Sequence, residues 1–229
     1  MTPSKRKPPR AGKTDGSSTN SAEPSPYARL PAGLGDADLK PAAKTKILAH
    51  CDAAIQDGSG NAFGLTVEIK DMPLIVPVGA FKTPGRESQV LPRAHSLSND
   101  KKYLSAAVRA TNFTLGVNPS NQAFTTGVGF NPARAPLHMD SRMTGQSAPT
   151  GITVYGPHDT DLLPGFANAS EWVHIWHLTN HTVPPSRTWP TTESYTDLYL
   201  WPMINEFTIE QTMGPASYWW AYLAARGSK

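Results

Sequence analysis

The chain has 229 residues, 38% hydrophobic and 17% charged, with 22 prolines and 18 glycines. A charged share below the ~25% of ordinary domains, with Pro plus Gly still short of low-complexity levels, excludes collagen, a coiled coil and bulk disorder. The formal charge of +3 is uneven: residues 1–50 hold nine Lys/Arg against four acids, and residues 51–229 hold twelve against fourteen.

Residues 1–35 are rich in Pro, Ser, Thr and Gly and lack apolar periodicity, which predicts a disordered basic leader ahead of one folded unit over 36–229. The cluster Lys5-Arg6-Lys7-Pro8-Pro9-Arg10 reads as a solvated tail, so nucleic acid is not the expected partner. Residues 1–28 contain no apolar stretch of the signal-peptide kind. No run approaches the ~18 apolar residues of a membrane span, and no membrane partner is expected.

Over 38–57, Leu39, Ile47, Leu48, Cys51 and Ile55 suit a helix with one apolar face. Cys51 is the single cysteine, which rules out an internal disulfide or a Cys-based zinc module and predicts a buried thiol. Residues 58–83 read as loop with short extended pieces, and 87–97 as a helix weakened by Pro92. The clearest helix is 100–115. Asn99 is placed to cap it, Tyr103, Leu104, Ala107, Val108 and Leu115 lie along one side, and Gly116 supplies the stop. Residues 117–160 form a polar loop studded with Pro and Gly, of a length that is usually functional. The last element, 201–226, is aromatic and helical, with Pro215 either kinking it or starting a second helix.

Four clusters carry chemistry. The loop from Thr125 to Arg142 gathers His138, Asp140 and Arg142, which suits hydrogen bonding to a polar ligand or an ordinary solvated loop. In Asn205-Glu206-Phe207-Thr208-Ile209-Glu210, the two glutamates share a face if the segment is helical. Burial of Glu206 among Trp201, Phe207, Trp219 and Trp220 would raise its pKa, as a general acid at neutral pH requires. Aromatic residues including Trp172, Trp176, Trp189, Tyr195, Tyr199 and Tyr218 could stack on sugar faces, although most should be core. His158, His174, His177 and His181 match no metal motif, so neither a metal nor a cofactor is expected.

Together, the first two clusters resemble the catalytic domain of glycoside hydrolase family 9, the endoglucanase-type cellulases. The likeness rests on the helix ending in Leu115-Gly116-Val117-Asn118-Pro119, on Thr126-Gly127-Val128-Gly129 followed by Asn131-Pro132 and His138, and on Glu193-Ser194-Tyr195 with Asn205-Glu206-Phe207-Thr208-Ile209. It spans about residues 39 to 226 and covers only the C-terminal part of a family domain. The resemblance implies an all-α fold, the C-terminal portion of an (α/α)6 barrel with long loops, cleaving β-1,4-glucan with inversion. It implies Glu206 as general acid, with His138, Arg142, Tyr195 and Asn205 binding substrate and Asp140 orienting Arg142 or the loop. A β-glucan polysaccharide or oligosaccharide is the implied partner, and secretion or a periplasmic location the implied setting. Two departures stand out. Where the family commonly has Pro-His-His-Arg, this chain has Pro136-Leu137-His138-Met139. The family's Asp-Ala-Gly-Asp base motif is missing, and no Asp is followed by another three residues on. The expectation is therefore a shortened domain carrying the acid half of the site, or else a non-catalytic carbohydrate-binding remnant.

Overall fold

The computed structural model describes residues 28–31, 33–34, 37–65, 85–157, 182–185, 188–209 and 214–227, without the side chains of 85–89, 191, 203 and 214–218. The described residues are helical and irregular, with two isolated β-bridges and no strands. Residues 1–27 of the expected leader and the four-histidine group lie outside them, whereas Ala28, within the expected leader, is buried in the helical core.

Helix α1 (Leu39–Gly58) buries Ala43, Ile47, Cys51, Ala54 and Gly58, a stripe at i, i+4, i+8 spacing. Small residues at three of these five positions let the neighbouring helix approach closely. Cys51 is fully buried, as expected, whereas Leu39 is exposed. Helix α2 (Gly85–Ser98) continues through Pro92, which forfeits one backbone donor, while Val90, Leu91 and Ala94 of the same helix are buried in the helical core. Helix α3 (Lys101–Thr114) begins at Asp100, whose carboxylate accepts from Lys102 N at 2.9 Å. Asn99 is not the cap: it sits at φ 58°, a left-handed conformation that Asn tolerates well. Gly116 at φ 112° ends α3, and Asn118 Nδ2 donates to Phe113 O at 2.7 Å and to Gln122 O at 2.8 Å.

The buried face of α3 is Tyr103, Ala106, Ala107, Ala110, Thr111, Phe113 and Thr114, while Val108 points outward. Its N-terminal half joins α1, α2 and Trp219 in one core; Phe113 belongs to a second. Trp219 comes from helix α6 (Gly214–Gly227), and its indole N–H donates to Thr111 Oγ1. Pro215 therefore starts a separate helix, the second of the two readings its position allowed.

The second core is built mostly from loop residues. Leu65, Phe113, Phe124, Ala133, Ile152, Val154, Tyr195, Trp201 and Ile204 form it, with Phe124 edge-on to Tyr195 at 4.8 Å. Burying loops requires partners for their backbone groups. Phe124 N donates to Thr114 O at 2.9 Å, Val154 N to Phe124 O at 3.0 Å, and Thr126 N to Ile152 O at 2.9 Å. The long loop is thus tied to the end of α3 and carries the candidate site on its far side.

Candidate functional site

Helix α5 (Pro202–Asn205) is a single turn that ends at Glu206, whose backbone is extended (φ −72°, ψ 160°). The expectation of a continuous helix from 201 is corrected here, and with it a shared helix face for Glu206 and Glu210; Glu210 lies outside the described residues. The helix stops because the side chain of Asn205 competes for backbone groups. Its Nδ2 donates to Thr196 O at 2.8 Å and Leu198 O at 2.9 Å, and its Oδ1 accepts from Tyr195 OH at 2.9 Å. Asn205 is 0% exposed, and its carbonyl accepts from Leu137 N at 2.8 Å. Tyr195 and Asn205 thus knit together the two segments that lead to Glu206 and His138, with neither side chain facing solvent.

His138 caps helix α4 (Met139–Thr144): its Nδ1 accepts from Ser141 N at 3.3 Å and lies 2.7 Å from Ser141 Oγ. Accepting at Nδ1 puts the proton of the neutral ring on Nε2. The imidazole stacks on Phe207, the residue after Glu206, at 6.0 Å and 26°. Sequence positions 138 and 206 are in this way brought to one place.

Arg142 is exposed, and its guanidinium lies over the Tyr199 ring. Asp140 occupies the first turn of α4, where a negative charge suits the helix dipole. Among the described residues, no ion pair joins it to Arg142.

The aromatic surroundings of Glu206 also differ from expectation. Trp201 and Phe207 pack in the loop core beside it, but Trp219 and Trp220 belong to the helical core. Burial in the loop core alone suffices to push the Glu206 carboxyl above its ordinary value. Tyr195, Trp201 and Trp219 are core residues, as anticipated for most of the aromatic set. Trp172 and Trp176 lie outside the described residues.

Two contributors escape a residue-by-residue reading of the sequence. Asp197 accepts from Arg134 N at 2.7 Å and Ala135 N at 2.9 Å, fixing the strand of chain that leads into His138. Tyr155 donates its backbone N–H to Glu206 O at 3.0 Å. The run Ile152-Thr153-Val154-Tyr155 is rich in β-formers and was the available sign of an extended segment here. No group of three or more His, Cys, Asp or Glu residues among those described is arranged to hold a metal ion.

No protein-family model and no curated protein matches the sequence. Solved structures do match. Glycoside hydrolase family 9 endoglucanase J30 aligns with a TM-score of 0.66 at 19% identity, over 90% of this chain and 34% of its own. The structure of AaCel9A in complex with cellobiose-like isofagomine aligns at 0.64 and 20%, over 89% and 35%. A Bacteroides ovatus family 9 protein aligns at 0.60 and 19%, over 87% and 31%. This chain spans about a third of the length of each of these proteins. It shares its helical, loop-rich fold with that part of the glycoside hydrolase family 9 endoglucanases.

Proposed function

We propose that the chain is a family 9-type glycoside hydrolase unit from the C-terminal part of an (α/α)6 barrel, acting on β-1,4-linked glucan with inversion. Glu206 protonates the leaving oxygen. The observation that carries this reading is Glu206 itself: a half-buried carboxyl with raised pKa, held off a one-turn helix by the buried Asn205 and next in sequence to the Phe207 on which His138 stacks. Desolvation keeps such a carboxyl protonated further toward neutral pH, which general acid catalysis needs. His138 Nε2 donates to a sugar hydroxyl, and Arg142, spread over Tyr199, offers further donors at the rim. Asp140 shapes the α4 loop, while Tyr195 and Asn205 support the substrate subsite from beneath. The cellobiose-like ligand named for AaCel9A supports an oligosaccharide as the bound species.

Inversion needs a second carboxylate ~6.5–9.5 Å from the acid to activate water. The absence of an Asp-x-x-Asp pair from this sequence favours a second reading, a unit that binds glucan without cleaving it. Reducing-sugar release from carboxymethyl cellulose separates the two. In the hydrolase reading, Glu206→Gln lowers release from unactivated glucan by ~100-fold or more and costs much less on an aryl glycoside, whose leaving group departs with little protonation. Equal losses on both substrates contradict the proton-donor role. Glucan binding with no release at all establishes the second reading.

A further inference from the structure

We propose that Tyr155 is the positioning residue for Glu206, its ring laid along the carboxyl-bearing side of the 206–208 segment so that bulk water is kept from the acid; this rests on the general-acid reading above. The backbone supplies the register. Tyr155 N donates to Glu206 O at 3.0 Å, and Gly156 N donates to Ile204 O at 3.0 Å, so residues 155–156 are docked on the end of α5 and on the residue that follows it. Ile204 is fully buried, which anchors the pair to the loop core.

The side chain supplies the direction. Phe207 is turned toward His138, and the Glu206 charge acts on the Tyr155 phenol, which makes the ring and the carboxyl neighbours. The Tyr155 phenol hydrogen-bonds with Thr208. A ring whose backbone is docked at Glu206 and whose hydroxyl ends at Thr208 lies along the 206–208 segment. Tyr155 is only 7% exposed, so the ring is packed and not swinging in solvent.

The electrostatics agree with this placement. Burial, and next to it the charge of Glu206, push the Tyr155 phenol up to about 12, so it remains a neutral wall throughout the working range. Among the described residues, the other ionisable groups around the acid come from two directions. His138 stacks on Phe207, and Asp197 lies next to the Tyr195 hydroxyl, where its carboxylate receives the Arg134 and Ala135 amides. The Tyr155 ring is thus the neighbour that can govern solvent access to Glu206 without adding a charge.

The test is direct titration of the Glu206 carboxyl by carbon-detected NMR in the full chain, for wild type, Tyr155→Phe, Thr208→Val and the double variant. Each single change removes one end of the hydrogen bond that holds the ring in place. Each is expected to lower the Glu206 midpoint toward the ordinary value of a solvated glutamate, with the double variant lowering it no further than the larger single effect. A merely structural role would lower thermal stability and leave the midpoint where it was. An unchanged midpoint in folded Thr208→Val overturns the proposal, and this near-isosteric change at a half-buried site remains decisive if Tyr155→Phe does not fold. The readout involves no glucan: a chain that shows these shifts yet releases no sugar keeps the positioning role and loses the hydrolase reading.

Discussion

Replacing Asn205 with alanine is the perturbation that most sharply separates a residue that builds the site from one that touches a ligand. Asn205 is fully buried and makes two good hydrogen bonds to carbonyls, those of Thr196 and Leu198, besides accepting from Tyr195 OH. Each carbonyl bond contributes about 1 kcal/mol net, since the half-buried carbonyls regain water when the amide is gone. The Tyr195 hydroxyl fares worse. Its remaining contact, Asp197 Oδ1 at 3.5 Å, is too long to serve as a replacement, so it adds about 1–3 kcal/mol for an unsatisfied buried donor. Asn205→Ala is therefore expected to cost about 3–5 kcal/mol, read as a lower urea midpoint at unchanged m-value. Asn205→Asp keeps the acceptor for Tyr195 but sets a buried carboxylate against backbone carbonyls, and should cost at least as much. A midpoint for Asn205→Ala within about 0.5 kcal/mol of wild type, accompanied by weakened saccharide binding, would refute the reasoning and return Asn205 to the ligand-contact role its sequence context implies.

Other expectations follow from the same geometry. Glu206→Gln should stabilise the fold at pH 7, where wild type holds a desolvated charge. A carboxyl with a raised folded pKa contributes most stability below its unfolded value and loses it as pH rises through the folded value, so the variant's advantage in melting temperature should vanish near pH 4. Phe113→Ala, which empties the point where α3 enters the loop core, should cost about 3–5 kcal/mol by chemical denaturation. Gly127→Ala should destabilise by about 1–3 kcal/mol, because φ is +67° and a Cβ would meet Thr150 Oγ1 at 2.5 Å. Gly60→Ala, with the nearest atom at 3.7 Å and no positive φ, should be close to neutral in the same assay.

What could be read from the sequence is what local periodicity encodes. Helices α1 to α3 repeat apolar or small residues at helical spacing, and their limits fall within two residues of those expected from pattern and capping. The burial of Cys51 follows from its place on the α1 stripe. The loop core has no such signature. Its members come from residues 65 to 204, and the segments that carry them are tied by single long-range hydrogen bonds, such as Arg134 N to the Asp197 carboxylate, that connect positions 63 apart. Likewise, Asn-Glu-Phe-Thr-Ile reads as helix by composition, but a buried Asn205 that spends its amide on preceding carbonyls ends the helix after one turn. Glu206 and His138 were legible as chemistry, through their residue types and their family-like motifs. Tyr155, the side-chain partner lying against the acid, was not, because only the tertiary pairing of 155 with 206 reveals it.

The central claim is that Glu206 and His138 face a β-1,4-linked glucan at one site. Titrating the isotopically labelled chain with a cello-oligosaccharide such as cellotetraose, while following backbone and side-chain NMR signals, tests it most directly. The account predicts saturable shifts centred on Glu206, Phe207, His138 and Arg142, with a higher Glu206 midpoint in the bound state as the sugar displaces water from the carboxyl. Saturating sugar that leaves these signals unmoved, or that shifts only residues of the α1–α2–α3 core, would contradict it.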